Sequence, residues 1–185
     1  MSVLAGDFSG CTVLIYDTNG NHLDSTVIKT HERKEQHIIV NRIPGELAVN
    51  DHCKLVILSS PAPCEFSGKI QKSGGSFFIA IYQGQEKESR NATRYPVKAS
   101  ALIDALVVDD RAYALQTPVK VDLINISTSG MRFRAPYYTL LKGDIIKMHL
   151  VISNTRKMIT AEVNNNMDHL TEVSDYGCRF LEIEQ

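Results

Sequence analysis

Five residues in the second half of the chain carry groups suited to holding an anion. Arg90 and Arg94 stand four apart in Arg90-Asn-Ala-Thr-Arg94, and Asn125, Ser127 and Gly130 belong to Asn125-Ile-Ser-Thr-Ser-Gly130. An arginine guanidinium is a planar fork that can meet two acceptors on a guanine edge, grip phosphate oxygens or stack on a base. Two of them on a polar segment can close over a ligand from one side. The Asn amide and Ser hydroxyl add short donors and acceptors at a turn, where backbone N–H groups are also free to face an anion. Gly130 admits a positive φ or a close approach of ligand to backbone. Each motif alone is ordinary: paired arginines in a polar stretch are usually solvated, and Asn-x-Ser-x-x-Gly suits a side-chain-capped hairpin. Together they describe a clamp of two cations opposite a polar cradle for a phosphorylated purine.

Such a clamp needs a frame, and the chain supplies strands. Apolar and polar residues alternate with a period of two through most of its 185 residues, with little sustained helical periodicity. In the first part the pattern predicts strands at 11–16, 23–30, 36–42, 53–59, 64–72 and 76–82. Asp17-Thr-Asn-Gly20 offers an Asn-Gly pair of the type I′ kind, and Lys72-Ser-Gly-Gly-Ser76 another tight reversal. Alternation stops in Gln83-Gly-Gln-Glu-Lys-Glu-Ser-Arg-Asn91, which reads as a linker. Beyond it strands are expected at 95–102, 105–108, 113–116, 119–126, 131–135, 145–153, 157–164 and 176–183. The stretch 99–106 is alternatively a short helix, Asn164–Asp168 reads as a loop, and Asp109-Asp110 as a turn between strands. The fold class is therefore all-β, with two small barrels or sandwiches in tandem. No internal repeat of fixed period is visible.

Composition narrows the function. With 20 Lys plus Arg against 21 Asp plus Glu the net charge is -1, and the split is 7 basic and 8 acidic residues before residue 85, then 13 of each. A general nucleic-acid coat needs a basic surplus to release phosphate counterions, so an anion must be met locally. Phe77-Phe78 and Tyr137-Tyr138 are better assigned to one core and one surface position each than to stacking platforms for single strands. No apolar run reaches the roughly 18 residues of a membrane-spanning helix, and the N-terminus has no secretory pattern. A cytoplasmic protein is expected, with Cys11, Cys53, Cys64 and Cys178 as small hydrophobes. The six histidines and four cysteines show no metal-ligand or Cys–His spacing, which weighs against an enzyme and against a metal site.

At this point the second half resembles the PilZ domain family, bacterial receptors for cyclic di-GMP. The family pattern is Arg-x-x-x-Arg before the first strand of a six-stranded β-barrel, then Asp/Asn-x-Ser-x-x-Gly about thirty residues on. Tyr176-Gly-Cys-Arg-Phe180 is similar to the family's Gly-x-x-Phe element in the last barrel strand. The resemblance covers residues 86–185 and implies that Arg90 and Arg94 hold guanine edges and phosphates. Asn125 and Ser127 would bond to base or phosphate, and Gly130 would shape the turn beneath the ligand. Asn125 stands where many members have Asp, and its neutral amide spares a dianion a repulsive carboxylate. By architecture alone, residues 1–85 are similar to the split barrel that precedes the PilZ domain in flagellar-brake-type members. The implied organisation is a split-barrel-like domain at 1–85, an arginine-bearing linker at 86–94 and a PilZ barrel at 95–185.

The implied function is a cyclic di-GMP receptor that changes domain orientation to signal to a protein partner, for example in motility. A rival within the family is a scaffold that has lost the nucleotide and works through protein contacts. Two departures are expected: the C-terminal helix of many members is missing or replaced after Leu181-Glu-Ile-Glu-Gln185, and 99–117 forms an elaborated loop or extra hairpin. Ser89 leaves the arginine cluster at two, so one ligand or an intercalated pair both remain open.

Overall fold

Period-two alternation becomes twelve antiparallel strands in the computed structural model, which describes residues 7–82, 93–136, 140–152, 155–168 and 172–184. No helix occurs among the described residues. Six strands form a first closed barrel: β1 (Thr12–Tyr16), β2 (His22–Glu32), β3 (His37–Val40), β4 (His52–Leu58), β5 (Cys64–Ser73) and β6 (Ser76–Tyr82). Around the barrel the order is β1-β2-β3-β6-β5-β4, and β4 pairs back onto β1 through Thr12–Leu58 to Tyr16–Lys54. Val13, Ile15, Ile28, Leu55, Ile57 and Ile79 fill its interior. Closure removes the sheet edges, which would otherwise invite pairing with other chains.

The second barrel uses β7 (Tyr95–Val108), β8 (Arg111–Ile126), β9 (Gly130–Pro136), β10 (Ile145–Ile152), β11 (Thr155–Asp168) and β12 (Val173–Ile183), in the closed order β7-β8-β9-β12-β11-β10. Inward and outward positions alternate along β9 and along the second half of β12. On β9, buried Met131, Phe133 and Ala135 interleave with outward Arg132 and Arg134; on β12, Tyr176, Cys178 and Phe180 point in.

Several expectations change. The stretch 99–106 is strand, not helix: it belongs to β7, which pairs with both β8 and β10. The strands expected at 95–102 and 105–108 are one, and so are those at 113–116 and 119–126. The elaboration expected at 99–117 is a wide bulge. Ile103 pairs with Val119 and Ala105 with Ala114, so Leu115-Gln-Thr-Pro118 opposes the single residue Asp104. Pro118 lacks the N–H a continuous ladder would use. Asn164–Asp168 is also strand; β11 absorbs the Asn run with a register shift between Val163 and Asn165.

The turns are redistributed. Asn19-Gly20 is not type I′, because among them only Gly20 has positive φ, at 88°. Instead Gly20 N–H donates to Asp17 O, and the Asp17 carboxylate accepts from the backbone and side-chain nitrogens of Asn21. Two-residue loops with both φ values positive occur at Gly74-Gly75 and at Asp109-Asp110 (48° and 59°), as type I′ geometry requires. Phe77 and Phe78 do not split between core and surface: Phe77 is exposed under Lys72, and half-buried Phe78 lies against His37. Tyr137 and Tyr138 lie outside the described residues.

Candidate functional site

The turn from β8 into β9 is built by its own polar groups. Ser127 N–H donates to Gly130 O at 2.8 Å, closing the reversal. The buried Ser127 hydroxyl donates to the same carbonyl at 3.2 Å and accepts the Ser129 N–H at 3.4 Å. Ser127 is thus used by the turn, with 6% of the residue exposed. Gly130 is required here, though not for a positive φ. A Cβ on it would lie 2.0 Å from the Cys178 carbonyl oxygen on β12. The turn and β12 are further joined by Phe180 N–H donating to Ser129 O at 3.1 Å.

Asn125 faces outward because β8 carries one extra residue. Leu123 pairs with Phe133 and Asn125 with Arg132, so Ile124 is unmatched on β9; it is likewise the single residue opposite Val97-Lys98 between the Pro96–Asn125 and Ala99–Leu123 pairs. Strict alternation from inward Leu123 would send Asn125 into the core. The bulge resets the phase, so Ile126 is buried and Asn125 half-buried on the outer face.

Arg94 is exposed and immediately precedes Tyr95, whose β7 position pairs with Ile126. It therefore enters beside the Asn125–Ser127 turn. Arg90 lies outside the described residues. Of the five residues singled out in the sequence, four meet at this end of the second barrel: Asn125 and Arg94 present polar groups outward, and Ser127 and Gly130 hold the turn.

Sequence reading passed over a second group on the same face. Asp175 on β12 is almost fully buried and accepts from Arg132 Nη2 and Arg134 Nε, each at 2.7 Å. Its signal was weak, because Arg132-Phe-Arg134 alternates like any half-exposed strand and Asp175 lies 41 residues away. Elsewhere, Asp104 pairs with His149 across β7 and β10. Burial pushes the Cys53 and Cys178 thiols up to about 12, far from nucleophilic thiolates. Among the described residues there is no group of three or more His, Cys, Asp or Glu positioned for a metal and no helix long and apolar enough to cross a membrane.

The fold and turn define a class: an all-β protein of two six-stranded barrels, the second ending in a polar turn flanked by arginines. The PilZ domain family matches residues 88–185, more than half of the chain, and the protein belongs to that family. Among solved structures, Escherichia coli YcgR in complex with c-di-GMP is similar at 12% identity over 93% of this chain and 76% of that one, TM-score 0.37. The K. pneumonia MrkH complex with c-di-GMP gives 13% identity, 92% and 78% coverage and TM-score 0.36; MrkH in its apo state gives 14%, 94%, 80% and 0.36. No curated protein matches the sequence.

Proposed function

We propose that the protein is a receptor for cyclic di-GMP, bound at the β8–β9 end of the second barrel. Membership of the PilZ family supports the ligand class. The observation that carries the reading is the bulge at Ile124, which turns Asn125 outward beside Arg94 on a surface that regular alternation would have left without it. In this reading Arg90 and Arg94 grip phosphates and guanine edges, Asn125 bonds to a base or phosphate, and Ser127 with Gly130 keeps the turn in shape.

The reading is of a binding protein, not a catalyst, working in the cytoplasm without a metal or a nucleic-acid polymer. Holding Arg90 and Arg94 on the barrel would bias the two barrels toward one arrangement, which a protein partner then reads, as in motility control. The ligand shifts that balance only by its different affinity for the arrangements.

Calorimetric titration with cyclic di-GMP tests the binding. Saturable heat is expected, reduced at least tenfold in affinity by Arg90→Ala with Arg94→Ala; absent heat, or unchanged affinity in the double variant, ends the reading. Fluorescence energy transfer between labels on the two barrels tests the switch separately. A distance distribution indifferent to saturating ligand would leave a receptor without this mechanism.

A further inference from the structure

The outward row that starts at Asn125 continues across two more strands. Arg132 on β9 is directly opposite Asn125, and Gly177 on β12 is directly opposite Arg132. Two pairs further along, past the inward pair Phe133–Tyr176, Arg134 faces Asp175. The Asp175 side chain is 3% exposed although its strand position points outward, because the two guanidiniums cover it. A carboxylate so buried is costly to leave unpaired and fixes the direction of both arginines. Arg134 is also directly opposite Asp122 on β8, so the two guanidiniums stand among two carboxylates, and what the patch offers a ligand is a cation of fixed direction.

We infer that Arg132, oriented by Asp175, is a third cationic contact for the dinucleotide, on the opposite side of Asn125 from Arg94. The inference rests on the reading above and adds the barrel's own cation to it. Arg94 leads into β7 and Arg132 lies on β9, so Asn125 on β8 stands between them, and two strand spacings separate them by about 10 Å. Arg94 comes from one side of the site, whereas cyclic di-GMP carries two phosphates and two guanines. A cation on each side of Asn125 answers a ligand with two like halves.

Arg132 is suited to this. Its side chain is 26% exposed and so reachable, and its direction is already set by Asp175, which lowers the ordering cost of binding. Gly177 leaves room beside it. Packing does not require glycine there, since a Cβ would meet Asn165 Cβ at an ordinary 3.7 Å. Asp175 is a positioning residue that acts through Arg132. Arg134, half exposed and two pairs further from Asn125, completes its clamp.

The test is calorimetric titration of the full chain with cyclic di-GMP. Arg132→Ala and Arg132→Gln are expected to weaken binding tenfold or more, with Arg132→Lys recovering part of the loss and Arg134→Ala staying within about threefold of wild type. Arg132→Gln keeps a hydrogen bond to Asp175, so a wild-type thermal unfolding curve for it separates lost binding from lost fold. Asp175→Asn should weaken binding alone yet add nothing to Arg132→Gln, the non-additivity expected of a residue acting through another. If wild type binds and Arg94→Ala impairs it while both Arg132 variants stay within twofold, the inference falls and the receptor reading stands. If wild type gives no heat, both fall.

Discussion

The two barrels are one topology built twice. Each, numbered by its own strands, closes in the order first, second, third, sixth, fifth, fourth. Even the bulge recurs. In the first barrel Ile28 pairs with Val40 and Thr30 with Ile39, leaving Lys29 unmatched, just as Ile124 is between Leu123 and Asn125. Thr30 and Ile39 therefore occupy the places of Asn125 and Arg132. A hydroxyl beside an aliphatic chain offers no cation, so the shared backbone device aims a site in one barrel and nothing comparable in the other. The seams differ as well. The third and sixth strands of the first barrel pair through His37–Ala80 and Ile38–Ile79, whereas β9 and β12 pair from Arg179–Gly130 to Val173–Pro136. Topology is common property here; the site comes from side chains and from a long seam pressed against the turn.

The sharpest way to break this contrast is at the two crowded glycines. Gly130→Ala drives a methyl into backbone at Cys178 and should cost roughly 3–5 kcal/mol, read as lost hydrogen-exchange protection along β9 and β12. Gly68→Ala in the first barrel meets Ile79 Cγ2 at 2.6 Å and Cys53 Sγ at 2.9 Å, side chains that can shift, and should cost about 1–3 kcal/mol. Equal costs would remove the claim that backbone beside the β9–β12 seam yields less than the side chains around Gly68 on β5.

Ser127→Ala removes both hydroxyl bonds of the turn and should lower urea stability by about 1 kcal/mol. The type I′ turns sharpen the comparison in the opposite direction. Gly74-Gly75 adopts positive φ freely, while Asp109-Asp110 does so against steric preference, so Asp110→Gly should stabilise the second barrel by up to about 1 kcal/mol. A loss of stability would mean that the Asp110 side chain is needed in that turn.

The smallest expected effect is confined to the first barrel. His31 takes the inward place that Ile126 holds in the second; its ring stacks on Phe8 and accepts the Phe8 N–H at 3.3 Å. Burial holds its pKa below the usual 6.5, with Arg33 and His37 acting in the same direction and Asp7 and Glu32 opposing. The unfolded chain thus takes up a proton before the folded one. Stability from this group is complete above about pH 6.5 and declines as pH falls toward the folded value. Urea midpoints at pH 7.5 and 5.5 should show that decline in wild type and less of it in His31→Phe.

Most strand positions were legible because alternation is a direct record of which face is buried. What escaped was wherever one strand spends more residues than its neighbour. Leu115–Pro118 against Asp104 read as a break between separate strands, and Asn164–Asp168 read as a loop, because a bulge breaks the period without ending the ladder. The doublet Leu123-Ile124 before Asn125 was the local trace of the bulge that turns the site outward. The motif residues were legible as a pattern, but the reason for Gly130 was not: it lies in a carbonyl 48 positions away. Asp175 and its two arginines escaped for the same reason, since long-range pairing leaves no local spacing.

That pairing also sets an order of events during synthesis. Each barrel closes between its first and fourth strands, Thr12–Tyr16 with Lys54–Leu58 and Ser100–Val107 with Ile145–Val151. Long chain loops must therefore be gathered before closure is rewarded, a pattern associated with slow folding. In both barrels the sixth strand lies between the third and the fifth and is the last of the six to be made, β6 between β3 and β5 and β12 between β9 and β11. Until β12 docks, the Ser127–Gly130 turn has no Cys178 to rest on and Arg132 has no Asp175, so the outward face around Asn125 and Arg132 matures only with that strand.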